Sequence, residues 1–150
     1  MNNFQRIGAI SNAHVGRDFE VLAQNYFLEQ EGLRLTKSFP IEIGVGTAKK
    51  SHRFDLGSDE PRILVECKSH RWTETGNMPS AKVTVWTQAM FYFFLVPPSY
   101  RAIMFVLRDI NPKTNVSLAD YYIRNYGHLI PGNVELMEFD EQTKEVIRKA

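Results

Sequence analysis

The chain has 150 residues, of which 43% are hydrophobic and 23% are charged, as is typical of one globular domain with its own core. Its 18 basic and 17 acidic residues leave a formal net charge of +1. This balance excludes a polycation that binds nucleic acid by bulk charge, and it excludes an acidic disordered chain. It does not exclude a surface on which the positive charges cluster.

The cysteine content and the apolar runs narrow the class of protein further. Cys67, the single cysteine, cannot form an internal disulfide or a cysteine-cluster zinc site. The N-terminus shows no secretory signal, and the longest apolar run, Ala89 to Val96, is too short to span a membrane. We therefore expect a soluble, cytoplasmic, single domain over residues 1–150 with no membrane partner.

Hydrophobic periodicity and turn signals predict an α/β protein with the order α-β-β-β-α-β-α-β, followed by a short charged terminal helix. The predicted helices cover about residues 12–30, 81–96 and 117–126, and the predicted strands cover about 39–45, 50–56, 63–68, 102–107 and 134–139. Ser11 or Asn12 can cap the first helix, and Gly32 ends it. The run Ser117-Leu118-Ala119-Asp120 has the form of a capping box for the third helix.

The sequence predicts which side of the first strand faces the core and where the chain turns between the second and third strands. Alternating apolar residues place one side of the first strand on the core: Phe39, Ile41, Ile43 and Val45. Residues 58–61 predict a four-residue turn between the second and third strands. Residues 69–79 are polar and predict a long exposed loop.

The second helix and the strand after it are the most apolar elements. Within the segment 81–96, Val83-Thr84-Val85 favours a strand, but the absence of any turn signal favours a helix. We predict a buried helix, because apolar residues lie on most of its sides. Residues 102–107 are apolar throughout and predict a strand covered on both faces, which we expect to join the sheet in parallel.

Three charged residues on the predicted hairpin are candidates for a chemical site. Glu66 and Lys68 are two apart on one strand and project from the same face, with Cys67 on the other. A four-residue turn places Asp55 opposite Leu64, one diagonal step from Glu66. The pattern by itself is weak, because a surface Glu–Lys pair on an edge strand produces it equally well.

Two carboxylates at this separation repel each other unless a cation lies between them. Carboxylate oxygens suit magnesium, which also takes phosphate oxygens as ligands. Lys68 can then orient or help deprotonate a metal-bound water and balance charge on a phosphate. These are the parts that phosphodiester hydrolysis needs.

Asp55 followed by Glu66-Cys67-Lys68, in the order αβββαβ, resembles the PD-(D/E)XK nuclease superfamily, also called restriction endonuclease-like. The resemblance covers about residues 12–108, although Phe54 stands where the family name has proline. It implies a restriction endonuclease-like core, a mixed central sheet flanked by helices, with residues 109–150 as a C-terminal αβα decoration. It also implies Mg²⁺, with Mn²⁺ as a substitute, held by Asp55, Glu66 and the Cys67 backbone carbonyl.

The first helix, over residues 16–23, is similar to the opening helix of archaeal Holliday-junction resolvases. That resemblance implies that Glu20 joins the metal site. On a helix Glu20 shares a stripe with Gly16 and Ala23, whose small side chains would let the helix approach the sheet. The alternative is an ordinary solvated helix charge.

Gln88 and Tyr92 match a Gln-x-x-x-Tyr element in the nuclease domains of bacterial recombination helicase–nucleases. The resemblance implies that they steady the active site and contact DNA. Gln88 lies in an otherwise apolar helix and needs a hydrogen-bond partner, for which Lys68 or a backbone group is a candidate. The alternative is a core glutamine bonded locally.

Basic residues flank the predicted site on both sides and are candidate phosphate contacts. They are Lys49, Lys50, His52, Arg53, His70, Arg71 and Lys82. Each of them could equally be part of a solvated turn or loop. Trp72 could stack on an unpaired base or wedge a duplex, or it could pack back onto the domain.

The sequence therefore predicts a metal-dependent endonuclease acting on duplex or branched DNA in restriction, repair or branched-DNA processing. We expect a homodimer, because so small a domain rarely encloses a duplex alone. One alternative is a non-catalytic nucleic-acid-binding or assembly protein that retains the nuclease fold. Another is an unrelated α/β protein, in which Asp55, Glu66 and Lys68 would be scattered.

Overall fold

Three helices and six strands make up the described part of the chain. The structure, a computed structural model, describes the backbone of residues 2–150 and the side chains of residues 16–150. The helices are α1 (Asn2–Glu31), α2 (Ser80–Leu95) and α3 (Leu118–Tyr126), and a 3-10 turn (Gly127–Leu129) follows α3. The strands are β1 (Thr36–Ile43), β2 (Lys50–Asp59), β3 (Arg62–Lys68), β4 (Arg101–Leu107), β5 (Val134–Phe139) and β6 (Val146–Arg148).

The six strands form one open mixed sheet in the order β1-β2-β3-β4-β5-β6. The strands β1, β2 and β3 are antiparallel neighbours, β4 is parallel to β3, and β5 is parallel to β4. The short strand β6 pairs antiparallel with β5. The α/β class and the parallel placement of β4 are thus confirmed. No helix in the described residues is long and apolar enough to cross a membrane.

Each face of the sheet carries its own hydrophobic core. Strand β4 alternates between them, with Met104 in the core under α2 and α3 and Phe105 in the core under α1. Trp86 of α2 is fully buried in the first core, and the Phe19 ring of α1 lies 5.5 Å from the Phe105 ring in the second. Burial of each such side chain contributes ~1.5–3 kcal/mol to the stability of the folded state. Strand β4 is covered on both faces, as predicted.

Several element boundaries agree with the pattern and two do not. Ser117 is the N-cap of α3 and accepts a hydrogen bond from the Asp120 N–H, which confirms the predicted cap. Helix α1 begins at Asn2, so Ser11 and Asn12 are not its N-cap. Their side chains lie outside the described residues. Strand β1 ends at Ile43, which leaves Val45 outside it and 78% exposed.

The turn between β2 and β3 is shorter than predicted. Asp59 pairs with Arg62, so Glu60 and Pro61 alone form the turn. Gly57, rather than Asp55, lies opposite Leu64. The prediction was wrong because polar side chains at a strand end do not prevent the backbone from pairing. The shorter turn moves Asp55 along the hairpin, away from Leu64.

The chain ends in a strand and not in the predicted charged helix. Asp140 accepts hydrogen bonds from the Gln142 and Thr143 N–H groups, and Lys144 adopts a φ of 65°. This turn returns the backbone along β5, where Val146 pairs with Phe139. A local turn therefore replaces the terminal helix.

Candidate functional site

Asp55 lies where β2 separates from β3. The ladder between these strands extends only from Asp59–Arg62 to Leu56–Val65. Beyond it, the Asp55 Oδ2 accepts a hydrogen bond of 2.8 Å from the Cys67 N–H. A side chain thus takes the place of the backbone acceptor that the departing strand would have supplied.

The side-chain alternation of β1 and β2 reverses at the same place. Phe54 and Leu56 lie in different cores, although residues two apart in a regular strand share a face. Opposite them in β1, Ser38 has a φ of 58°. Neither Ser38 nor Asp55 pairs with a residue of the other strand. At this irregularity the Asp55 carboxyl lies beside the backbone of β3, where it meets the Cys67 N–H.

Strand β3 places Glu66 and Lys68 on the face that carries α2, whereas Cys67 packs toward α1. This confirms the predicted division of faces. Glu66 is 5% exposed; its Oε1 lies 3.0 Å from the His52 Nε2, and its Oε2 lies 3.8 Å from the Lys68 Nζ. Both oxygens of this buried carboxylate therefore have a nitrogen neighbour.

Helix α1 brings a third carboxylate from the other face of the sheet. Glu20 lies close enough to Asp55, Glu66 and Lys68 to interact with them electrostatically. Burial raises the pKa of Glu20, and the positive charge of Lys37 opposes that rise. Glu20 is therefore part of the carboxylate cluster and not an isolated solvated charge.

Lys37 is a neighbour of the site that the sequence reasoning missed. Strict alternation would place Lys37 with Phe39, toward α2, but the irregularity at Ser38 turns it toward Glu20 on α1. The sequence carries no clear signal for this reversal, because a polar residue such as Ser38 is common in regular strands as well.

The electrostatics of the cluster favour the addition of positive charge, either as a proton or as a cation. Burial, followed by the negative charges of Glu66 and Glu20, raises the pKa of Asp55 to about 8, although the Cys67 N–H bond opposes the rise. Asp55 is therefore protonated at neutral pH unless positive charge is added. Two lysines, Lys68 and Lys37, lie near the three carboxyl groups.

The donor chemistry fits Mg²⁺, since these donors are hard oxygen atoms. In residues 16–150, however, no group of three or more His, Cys, Asp and Glu side chains is already arranged as a metal-ligand set. The Asp55 Oδ2 faces the Cys67 N–H and the Glu66 Oε1 faces His52. The oxygens left for an ion are therefore the Asp55 Oδ1 and the Glu66 Oε2.

Of the two α2 residues that the sequence predicts for the site, Tyr92 reaches it and Gln88 does not. The Tyr92 ring lies 4.1 Å from the His52 ring and so reaches the site through that side chain. Gln88 is exposed and makes no hydrogen bond to a described residue. Among the described residues, Gln88 therefore makes neither the expected bond to Lys68 or a backbone group nor one to a core partner. The reason is that Val83, Trp86 and Met90 lie on the buried face of α2 and Gln88 does not.

The basic residues on β2 and before it remain exposed, apart from His52. The Lys49 Nζ donates to the Gly44 carbonyl, and Arg53 donates to the Ser38 carbonyl. Lys50 is exposed and so is Lys82 on α2. These four side chains are available as phosphate contacts, whereas His52 is directed at Glu66.

The loop after β3 is tied to the domain more closely than predicted. The Trp72 N–H and Nε1–H donate to Asp109, and the Trp72 ring lies edge-on against Tyr121 at 5.3 Å. Trp72 therefore packs back onto the domain, which was the second of its two predicted alternatives. Arg71 forms ion pairs with Asp109 and Glu141.

His70 is uncharged at neutral pH. Its Nδ1 accepts a 3.0 Å hydrogen bond from the Trp86 Nε1–H, so a neutral ring carries its proton on Nε2. Burial lowers the pKa of His70 to about 4, and the charges of Lys68 and Lys82 add to the effect. His70 thus contributes no positive charge for binding a phosphate.

The structure brings Glu20, Asp55, Glu66 and Lys68 close together and does not scatter them. Comparisons of the chain with protein-family models, with curated proteins and with solved structures find no match.

Proposed function

We propose that the protein is a metal-dependent endonuclease that hydrolyses DNA phosphodiester bonds with Mg²⁺, for which Mn²⁺ can substitute. The observation that carries the proposal is the convergence of three carboxyl groups, Glu20, Asp55 and Glu66, beside Lys68. The order α1, β1 to β3, α2 and β4, with β4 parallel to β3, supports a PD-(D/E)XK or restriction endonuclease-like core.

In this proposal Asp55, Glu66, Glu20 and the Cys67 carbonyl would hold the ion. When bound, Mg²⁺ supplies a Lewis acid for a phosphate oxygen and lowers the pKa of a water molecule. Asp55 must release its proton for the ion to bind, because a protonated carboxyl is a poor ligand.

Lys68 has the role of placing the nucleophile and balancing charge. Its ammonium group lies 3.8 Å from the Glu66 Oε2 and so stays beside the carboxylates. From there it would orient the attacking water and offset the negative charge that develops on the phosphorus centre. Lys49, Lys50, Arg53 and Lys82 would contact backbone phosphates.

We also propose that the active form is a homodimer, since two copies related by a two-fold axis would cut both strands of a duplex. Sedimentation velocity of the purified protein, with and without duplex DNA, tests this point. A single species with the mass of one chain under both conditions would contradict it.

The test of activity uses supercoiled, linear, single-stranded and branched DNA, with Mg²⁺, Mn²⁺ or EDTA. We expect cleavage with either metal, none with EDTA, and a loss of at least ~100-fold in the Asp55→Ala and Lys68→Ala variants. Glu20→Ala is compared with Glu29→Ala, an exposed glutamate on the same helix. Only the first of these two should lose activity.

Cleavage that survives Asp55→Ala or Lys68→Ala would contradict the proposed site. If the wild-type protein binds DNA but cleaves none of the substrates, the non-catalytic nucleic-acid-binding alternative is favoured instead.

A further inference from the structure

We infer that His52 is a positioning residue that orients Glu66 for metal binding, and that Tyr92 holds the His52 ring in place for this role. The inference rests on the proposed metal site. It assigns to both residues a task different from the DNA contact that the sequence predicts.

The contact between His52 and Glu66 is short and largely enclosed. The His52 Nε2 lies 3.0 Å from the Glu66 Oε1, and the two side chains are 25% and 6% exposed. A carboxylate oxygen accepts, so the Nε2 atom carries the proton and donates it. The other oxygen of Glu66 faces Lys68 at the longer distance of 3.8 Å. His52 therefore fixes the carboxylate orientation more strongly than Lys68 does.

Aromatic contacts on two sides fix the His52 ring. Its centroid lies 4.1 Å from that of Tyr92, and the two rings are inclined by 35°. Phe54 meets it edge-on at 4.6 Å, and Phe54 itself stacks on the buried Phe93 at 5.3 Å. The ring therefore cannot swing away from Glu66 without disturbing packing between β2 and α2.

A carboxylate that is to bind a metal gains affinity when a neighbour orients it in advance. Loss of such a neighbour costs roughly 10–100-fold in metal affinity in other proteins. Glu66 depends on its neighbour more than an exposed carboxylate would, since the negative charge of Glu20 lies nearby and little water reaches Glu66.

The experiment measures Mn²⁺ binding to the full chain by isothermal titration calorimetry, without DNA and independently of cleavage. We expect His52→Ala to weaken Mn²⁺ binding roughly 10–100-fold. His52→Gln should bind within about 3-fold of wild type, because the Gln amide can donate from nearly the same place as the His52 Nε2. Circular dichroism checks that each variant is folded.

Substitutions on α2 test the part played by Tyr92. Tyr92→Phe keeps the ring and should bind Mn²⁺ like the wild type, whereas Tyr92→Ala should weaken binding in the same direction as His52→Ala. Phe94→Ala is the matched control, because Phe94 is an aromatic residue of the same helix that is 69% exposed. It should leave Mn²⁺ binding unchanged.

The inference is overturned if His52→Ala binds Mn²⁺ as the wild type does, or if His52→Gln is weakened as much as His52→Ala. It is also overturned if His52→Ala weakens DNA binding in EDTA and leaves Mn²⁺ binding intact, since that pattern defines a DNA contact. Wild-type protein that binds Mn²⁺ without cleaving DNA would contradict the proposed nuclease and not the role of His52. Wild-type protein that binds no Mn²⁺ would contradict both.

Discussion

At the scale of single residues, Asp55 has a strongly altered pKa. In the folded chain it is surrounded by Glu66, Glu20 and the Cys67 N–H, and its pKa is raised from 3.8 to about 8. In the unfolded chain its pKa returns to the lower value. Between pH 3.8 and about pH 8, Asp55 therefore keeps its proton in the folded state and has lost it in the unfolded state. The stability of the folded state must then fall as the pH rises through this range.

The Asp55→Asn variant should remove this pH dependence. Asn keeps an oxygen acceptor for the Cys67 N–H but does not titrate. In EDTA, we expect the free energy of unfolding of the wild type to fall from pH 6.5 to 8, by at most ~1.4 kcal/mol per pH unit. The free energy of the variant should change less. Urea denaturation at several pH values measures both.

The measurement starts at pH 6.5 because, below that pH, His70 changes the free energy of unfolding in the opposite direction. Its pKa is lowered from 6.5 to about 4 by burial and by nearby lysines, so stability is lost as the pH falls through that lower range. Parallel wild-type and Asp55→Asn curves above pH 6.5 would contradict the raised pKa of Asp55.

At the scale of the elements, an ion-pair network joins the carboxyl ends of β4 and β5 to α3 and the C-terminus. Glu138 of β5 is fully buried and accepts a 2.7 Å bond from Arg108, just after β4. Lys149 lies 3.8 Å from Glu138 and 3.0 Å from Asp120 of α3. The Glu138 Oε2 is the one buried side-chain polar atom without a hydrogen-bond partner in the described residues.

Removal of Arg108 should therefore destabilise the domain strongly. In Arg108→Met, the buried Glu138 would retain only the more distant Lys149, and we expect a loss of about 3 kcal/mol in the free energy of unfolding. The double variant Arg108→Met/Glu138→Leu should recover most of that loss, because no buried charge remains.

The control for Arg108 is Arg124→Met on α3, where the side chain is exposed and the change should stay within about 0.5 kcal/mol. Urea denaturation serves for all three variants. Equal effects of Arg108→Met and Arg124→Met would show that the network adds nothing measurable to stability.

At the scale of the whole molecule, the candidate site joins three elements that the chain brings together only on folding. Glu20 comes from α1, Asp55 from β2 and Glu66 from β3. An ion bound by all three would bind the folded chain and not the unfolded one, and would stabilise it by mass action. It would also make the surface more positive than the net charge of +1 implies.

Thermal unfolding should accordingly depend on Mg²⁺ or Mn²⁺. At 100 times the dissociation constant a ligand adds ~2.7 kcal/mol, which for a domain of this size raises Tm by roughly 5–10 °C. The shift should be larger at pH 8 than at pH 6, since the proton on Asp55 competes with the ion. Differential scanning fluorimetry measures it against KCl of equal ionic strength. An equal shift with KCl would indicate a general salt effect and no specific site.

The sequence by itself determined the features that depend on local periodicity. The spacing of apolar residues predicts α1, α2 and the buried strand β4, and Ser117 marks the start of α3. The two-residue period of a strand is enough to place Glu66 and Lys68 on one face with Cys67 on the other.

Only the tertiary structure decided the register and the contacts between elements. Asp59 pairs with Arg62, the alternation reverses at Ser38 and Asp55, and Lys37 consequently lies near Glu20. Each depends on backbone hydrogen bonds and packing between segments that are distant in the chain, and no local pattern encodes them.

The same reason explains the residues whose surroundings were predicted incorrectly or left open. Tertiary contacts direct His52 to Glu66 and pack Trp72 against Asp109, whereas the rotation of α2 leaves Gln88 exposed. The sequence determined which residue types are present and which of them share a strand face. The distances between the carboxyl groups, and hence the raised pKa of Asp55, arise only when α1, β2 and β3 meet, because burial and repulsion act through space and not along the chain.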